Sequence, residues 1–325
     1  VPKETLVAIA ERNGHAFGVP GAFESARAMS RRSGSFLRLF ADCCRVFRLP
    51  RDYFDATLAL GESLSGELSH AEIYISPEIW TRFGLDPREV VVQIDAALSS
   101  VEKKTGCRFL LLLDSVRQWG PEAAERVLDF YEERPLPRIA GFGIGGNEAA
   151  VPARAFRDIY ERARSLGLST SIHAGEWEGP DSIEEALDHL APDRIDHGVR
   201  AAEDPSLLRR LASLKIPLCV APSSNVSTGV FESWRSHPLP RLLEAGVKVC
   251  LSADDPTLFE TTTMEEYRRA GSQLALSRSE IEGMKETARQ SRFSPPRGGA
   301  GTPPRGSSGL DRRTRPARQS SRVRG

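Results

Sequence analysis

The stretch STSIHAGEWEGPDSIEEALDHLAPDRIDHGV (169–199) holds two short apolar runs with a helical segment between them. STSIHAGE (169–176) and RIDHGV (194–199) read as strands. DSIEEALDHLA carries its apolar residues at helical spacing. A strand, a helix and a strand in that order is the unit that builds parallel sheets. Outward from it the alternation continues, through AEIYISP (71–77), RFLLLLDS (108–115) and RIAGFGIGG (138–146) before it and PLCVAPSS (217–224) and KVCLSADDP (248–256) after it. Helical segments such as PARAFRDIYERARSLGL separate these runs. Near-continuous apolar runs of this kind are strands covered on both faces.

Seven such units fit an open doubly wound sheet, or a (β/α)8 barrel whose first strand is absent. The polar residues separate the two. Asp114, Asn147, Glu148, His173, Glu176, His197, Ser223, Asn225, Asp254 and Asp255 all fall at the C-terminal ends of strands or just beyond. Barrel enzymes draw their active sites from several strand ends, whereas an open sheet gathers its site at one switch point. The expected fold is therefore α/β, a (β/α)8 TIM-type barrel lacking its first strand. It spans residues 1–290, with residues 3–70 mostly helical. No dinucleotide or P-loop glycine fingerprint is present.

The net charge of zero over 325 residues hides an asymmetry. Residues 291–325 carry nine arginines and one acidic residue, a charge of +8, which leaves −8 on the body. An acidic body argues against a nucleic-acid surface. The tail is rich in Pro, Gly, Ser and Arg and is expected to be disordered. No apolar run approaches the length of a membrane span. The five cysteines form no C-x-x-C pair, and with no signal peptide they point to a reducing cytoplasm.

Taken singly, each polar strand end is ambiguous. His173 with Glu176 one turn on suits a metal ligand beside a proton shuttle, or a buried histidine beside a helix start. Asp254 and Asp255 repel each other unless a cation or substrate donor is present, although one of them could cap the helix that begins at Pro256. GFGIGGNEA could bring backbone close to a ligand or make a tight turn. In conjunction, two histidines, a glutamate and two aspartates on strands meeting at one rim suit a zinc-type cation that activates water. No lysine lies at these strand ends for Schiff-base chemistry and no G-x-S-x-G elbow occurs. His15, His70, His189 and His237 read as structural.

SIHAGE, GIGGNE, DRIDHGVRAAEDPSLLRRLASLKIPLCVAPSSNV and HPLPRLLEAGVKVCLSADDPTLF together resemble the adenosine deaminase family. That family includes adenosine, adenine and aminodeoxyfutalosine deaminases, within the metal-dependent amidohydrolases. The resemblance covers most of residues 2–290 and includes ETLVAIAERNG and EIYISP. It implies zinc-dependent hydrolysis of the amino group of a 6-aminopurine, with release of ammonia and with a small-molecule purine nucleoside or base as the only partner. It implies His173 and Asp254 as Zn²⁺ ligands and Glu176 as the acid for ring N1. His197 would orient and deprotonate the water, Asp255 would bond purine N7, and the Gly146 N–H would meet N3. The H-x-E and P-C-x-x-C signature of the other zinc deaminases is absent.

The family's first strand ends in a His-x-His pair that supplies two more ligands, and no His-x-His occurs in this sequence, which starts at Val1. The expectation is thus an N-terminally truncated deaminase with half of its metal shell. An alternative is a catalytically impaired barrel that only binds purine or a partner. Asp196 in RIDHGV resembles the adenine branch and DDPTLFETTTMEEY the nucleoside branches. The primary expectation is an adenosine-like nucleoside, with adenine or aminodeoxyfutalosine as alternatives.

Overall fold

The computed structural model describes residues 1–33 and 35–296. Each apolar run becomes a strand: β1 His70–Ile75, β2 Arg108–Val116, β3 Ile139–Gly145, β4 Ser169–Ala174, β5 Arg194–His197, β6 Leu218–Val220 and β7 Val249–Leu251. All pair in parallel, in chain order from β1 to β7. The sheet curls into a TIM-like half-barrel with helices packed against it. β1 and β7 form its two ends, and no strand joins them among the described residues. Before β1 come four helices, α1 Lys3–Arg12, α2 Ala22–Ser33, α3 Phe36–Cys44 and α4 Pro50–Ser65.

Proline opens the outer helices Pro87–Thr105, Pro121–Glu133, Pro180–His189 and Pro205–Leu214. Its fixed φ suits the first helical turn, where its missing N–H costs nothing. Their inner faces bury Val90, Ile94, Leu98, Val127, Leu128, Ile183, Leu207 and Leu211 in one continuous core with the strands.

β3 is buried at every position, and its alternate glycines solve a space problem. A Cβ on Gly141 would lie 2.7 Å from the Phe293 ring, one on Gly143 3.0 Å from Tyr74, and one on Gly145 3.2 Å from His173. Successive glycines on one face of the strand thus admit three side chains into the barrel at three depths. The lowest, Phe293, packs on Leu112 and Ala140 under the Arg194 guanidinium, and its N–H donates to Glu72. The barrel's packing therefore continues past residue 290, the expected boundary. The rest of the expected tail, 297–325, lies outside the described residues.

Candidate active site

The register of β4 on β5 pairs His173 with Asp196 and Ala174 with His197. Both histidines thereby reach the C-terminal rim, with ring centroids 5.2 Å apart. The His197 Nε2 lies 3.5 Å from Glu176 Oε2 and 4.0 Å from Asp254 Oδ2. Both His197 and Asp254 hold φ in the left-handed region, at 63° and 54°. That conformation costs a non-glycine residue about 1–3 kcal/mol and concentrates at functional sites.

Burial, and next the Asp254 carboxylate, push the Glu176 carboxyl up to about 8. It is therefore protonated at neutral pH, the state a general acid needs. Burial and Asp254 also raise Asp255. Asp255 stands at the N-cap of Pro256–Phe259 but makes no side-chain capping bond, so its carboxyl is not committed to the helix. Asp114, which accepts from the Ser76 hydroxyl at 3.0 Å, is pushed up to about 6 by burial. Gly146 has φ 104°, and a Cβ there would meet Gln118 Oε1 at 2.5 Å. The six residues singled out in the sequence all lie on the strand ends or the loops just beyond them, and His197 is the one that neighbours His173, Glu176 and Asp254.

The Glu176 loop is tied down by a residue that carried no role in the sequence reading. The buried Glu148 carboxylate, from GIGGNE, accepts the backbone N–H groups of Gly175, Glu176, Trp177 and Glu178. Arg117, also buried, donates to the carbonyls of His173 at 3.0 Å and Val151 at 2.8 Å. Backbone targets leave no mark in a sequence, so Arg117 does not stand out there and Glu148, placed among the strand-end polar residues, has no role assigned to it. The loop's geometry depends on Gly175, which has φ 67°, and a Cβ there would lie 2.3 Å from Ile183 Cδ1. Gly175→Ala is expected to destabilise the chain by about 1–3 kcal/mol, read from the urea unfolding midpoint.

His237, read as structural, does pack and cap, its Nδ1 accepting from the Leu239 N–H at 3.2 Å, and it also reaches toward His197. It is buried, and its Nε2 meets Asn225 Oδ1 at 3.2 Å, while Asn225 Nδ2 meets His197 Nδ1 at 3.2 Å. Burial, with the His197 ring beside it, pushes His237 down from the ordinary 6.5 to about 3. Between those values the unfolded chain takes up a proton that the folded ring refuses. The stability this contributes is complete above about pH 6.5 and is lost as pH falls toward 3. His237→Gln should flatten stability against pH across that window, as followed by urea unfolding.

The donor set bears on zinc. His173 and Asp254 are ligand types for it, and the buried His173 Nδ1 has no hydrogen-bond partner, with Asp196 Oδ2 3.7 Å away. Catalytic zinc sites use three protein ligands. Among the described residues no three His, Cys, Asp or Glu side chains form a group able to hold a metal. The described side chains thus fall short of a zinc shell.

The family model described as adenosine deaminase matches residues 2–299. The chain belongs to the adenosine deaminase family. It is a hydrolase of the kind that acts on the C–N bond of cyclic amidines. An adenine deaminase of Chelativorans sp. (strain BNC1) is 37% identical over 262 residues, covering 80% of each chain. The crystal structure of adenine deaminase from Arthrobacter aurescens superposes with TM-score 0.83 at 32% identity over 90% of both chains. An amidohydrolase of Burkholderia ambifaria, described with bound Zn, shares the fold at TM-score 0.83 and 23% identity, over 90% of this chain and 82% of its own.

Proposed function

We propose that this member of the family deaminates adenine: water adds to C6, the C6–N6 bond breaks, and hypoxanthine and ammonia leave. The observation that carries the reading is Glu176, a largely buried carboxyl beside His197 that burial and Asp254 push toward its protonated form. Donating its proton to ring N1 makes C6 electrophilic. The resulting carboxylate takes the proton that water gives up as its oxygen bonds to C6 and passes it to N6, which leaves as ammonia while the C6 hydroxyl returns a proton to Glu176. His197, facing the same space, orients the water. Asp255, raised by burial, offers a proton to N7, and the Gly146 N–H faces N3. His173 and Asp254 are proposed as the chain's own contribution to zinc binding, as the family resemblance implies.

The free base is favoured over the nucleoside by two facts. Three relatives at 37% identity are named adenine deaminases, and Asp196 sits in the register partner position to His173, where the sequence resembles the adenine branch. Among the described residues no helix is long and apolar enough to cross a membrane; the partner proposed is a small-molecule purine, with neither nucleic acid nor membrane. The five cysteines are all free, which suits a cytoplasmic setting. Ammonia release from adenine and adenosine separates the alternatives. A kcat/KM for adenine at least tenfold above that for adenosine is expected. The reverse order would return the assignment to a nucleoside deaminase. Adenine binding with no turnover would favour the impaired barrel.

A further inference from the structure

His197 is held from behind by two buried side chains to which the family resemblance gives no role, Asn225 and His237. Their hydrogen bonds form a chain whose direction can be read from its far end. The Leu239 backbone N–H lies 3.2 Å from His237 Nδ1. A peptide N–H can only donate, so Nδ1 accepts, and the hydrogen of the neutral His237 ring is on Nε2. That Nε2 is 3.2 Å from Asn225 Oδ1, an acceptor, which fixes the orientation of the amide. The amide nitrogen then faces His197 Nδ1 at 3.2 Å. An amide NH₂ can only donate, so His197 Nδ1 accepts. In the neutral His197 ring the hydrogen is left on Nε2, the atom that faces Glu176 at 3.5 Å and Asp254 at 4.0 Å.

We infer that Asn225 and His237 are positioning residues that hold His197 as its Nε2–H tautomer, so that His197 presents a hydrogen-bond donor to the reacting atoms. A neutral ring in this state has no lone pair on the site-facing nitrogen. The role of taking the proton from water, which the family resemblance gives His197, is closed to it, and the role of holding the nucleophilic oxygen or the charge that develops on it is open.

The surroundings support a fixed rather than averaged arrangement. Asn225 is fully buried. Its backbone N–H donates to Ala221 O, and its carbonyl accepts from Phe231 N–H. The His237 ring is clasped edge-on by Phe231, with centroids 5.1 Å apart, and tilted against Trp234 at 6.4 Å. Burial keeps His237 neutral. A charged ring would carry a hydrogen on both nitrogens and leave the Leu239 N–H facing a donor. One geometric fact, the peptide N–H of Leu239, therefore propagates through two side chains to a choice of tautomer at the site.

This deepens the deaminase reading and rests on it only for the reaction in which His197 takes part. The test needs no substrate. In the full chain labelled with ¹⁵N-histidine, two-bond ¹H–¹⁵N correlation spectra at neutral pH report each ring nitrogen as pyrrole-type or pyridine-type. His197 is expected to show Nε2 as pyrrole-type and Nδ1 as pyridine-type, with its signals assigned by their loss in His197→Gln. Asn225→Asp, which places only acceptors against Nδ1, should reverse the pattern. His237→Phe, which frees the Asn225 amide to turn over, should give a mixture of both tautomers, and His237→Gln, which keeps a donor and an acceptor, should restore the original one. A pyridine-type Nε2 in the unaltered chain, or a pattern that neither Asn225→Asp nor His237→Phe changes, overturns the inference. A chain that shows the expected tautomer and deaminates nothing would sink the deaminase reading alone, while turnover with the opposite tautomer would sink the relay alone.

Discussion

Glu176→Gln is expected to lower kcat by about 10²–10⁴-fold, the usual contribution of a positioned general acid, while KM for adenine changes little. The substitution is isosteric. The loop's anchoring bond runs from the Glu176 backbone N–H to Glu148, so the side-chain change leaves it in place. What disappears is a transferable proton on a buried carboxyl that burial and Asp254 keep protonated up to about pH 8. An amide can still donate a hydrogen bond to N1 but cannot give up a proton to it. Steady-state ammonia release measures the effect, and a kcat within twofold of the unaltered chain would remove Glu176 as the acid.

The second large effect belongs to Glu148→Ala. One carboxylate accepts four consecutive loop N–H groups, and the Ser182 hydroxyl as well. Hydrogen bonds to a charged acceptor contribute about 1.5–3 kcal/mol each, and a buried donor left without a partner costs about 1–3 kcal/mol. Some of the loop would rehydrate, so the sum is not additive. A loss of at least about 3 kcal/mol in unfolding free energy is expected. Glu176 would lose its fixed backbone in the same step, so kcat should fall together with stability. Urea denaturation and the deaminase assay on one preparation check both, and an unchanged midpoint would show that the loop holds itself.

The fold was legible because its signal is local. Each of the seven apolar runs became a strand, and the barrel topology followed from where the polar residues fell along them. The placement of His173, Glu176, His197 and Asp254 at or just past strand ends was legible for the same reason, as polar groups breaking apolar runs at their C-terminal ends. What supports them was not. Glu148 and Arg117 act on backbone atoms, which carry no residue identity. His237 is 40 residues from His197 in the chain and meets it only through Asn225, so its spacing resembled that of any histidine before a helix. The glycines of GFGIGG were read as a turn or a ligand approach. Their spacing along β3 instead makes room for Phe293, Tyr74 and His173, side chains contributed by distant segments. Phe293 itself lay in a stretch whose composition pointed to disorder, and one aromatic ring was enough to draw it into the barrel. The expectation of a nucleoside rests on one motif, DDPTLFETTTMEEY (254–267), whereas the similar proteins are named adenine deaminases.

The most direct test of the central claim, that these strand ends form a hydrolytic adenine-deaminating site, is to supply the 325-residue chain with adenine and an excess of Zn²⁺ and measure both products. The excess matters because the proposed ligands, His173 and Asp254, are two where zinc sites use three or more. Hypoxanthine and ammonia in equal amounts, formed by the chain and at least a hundredfold more slowly by Glu176→Gln, are the predicted result. No ammonia from adenine or from any other 6-aminopurine would contradict it.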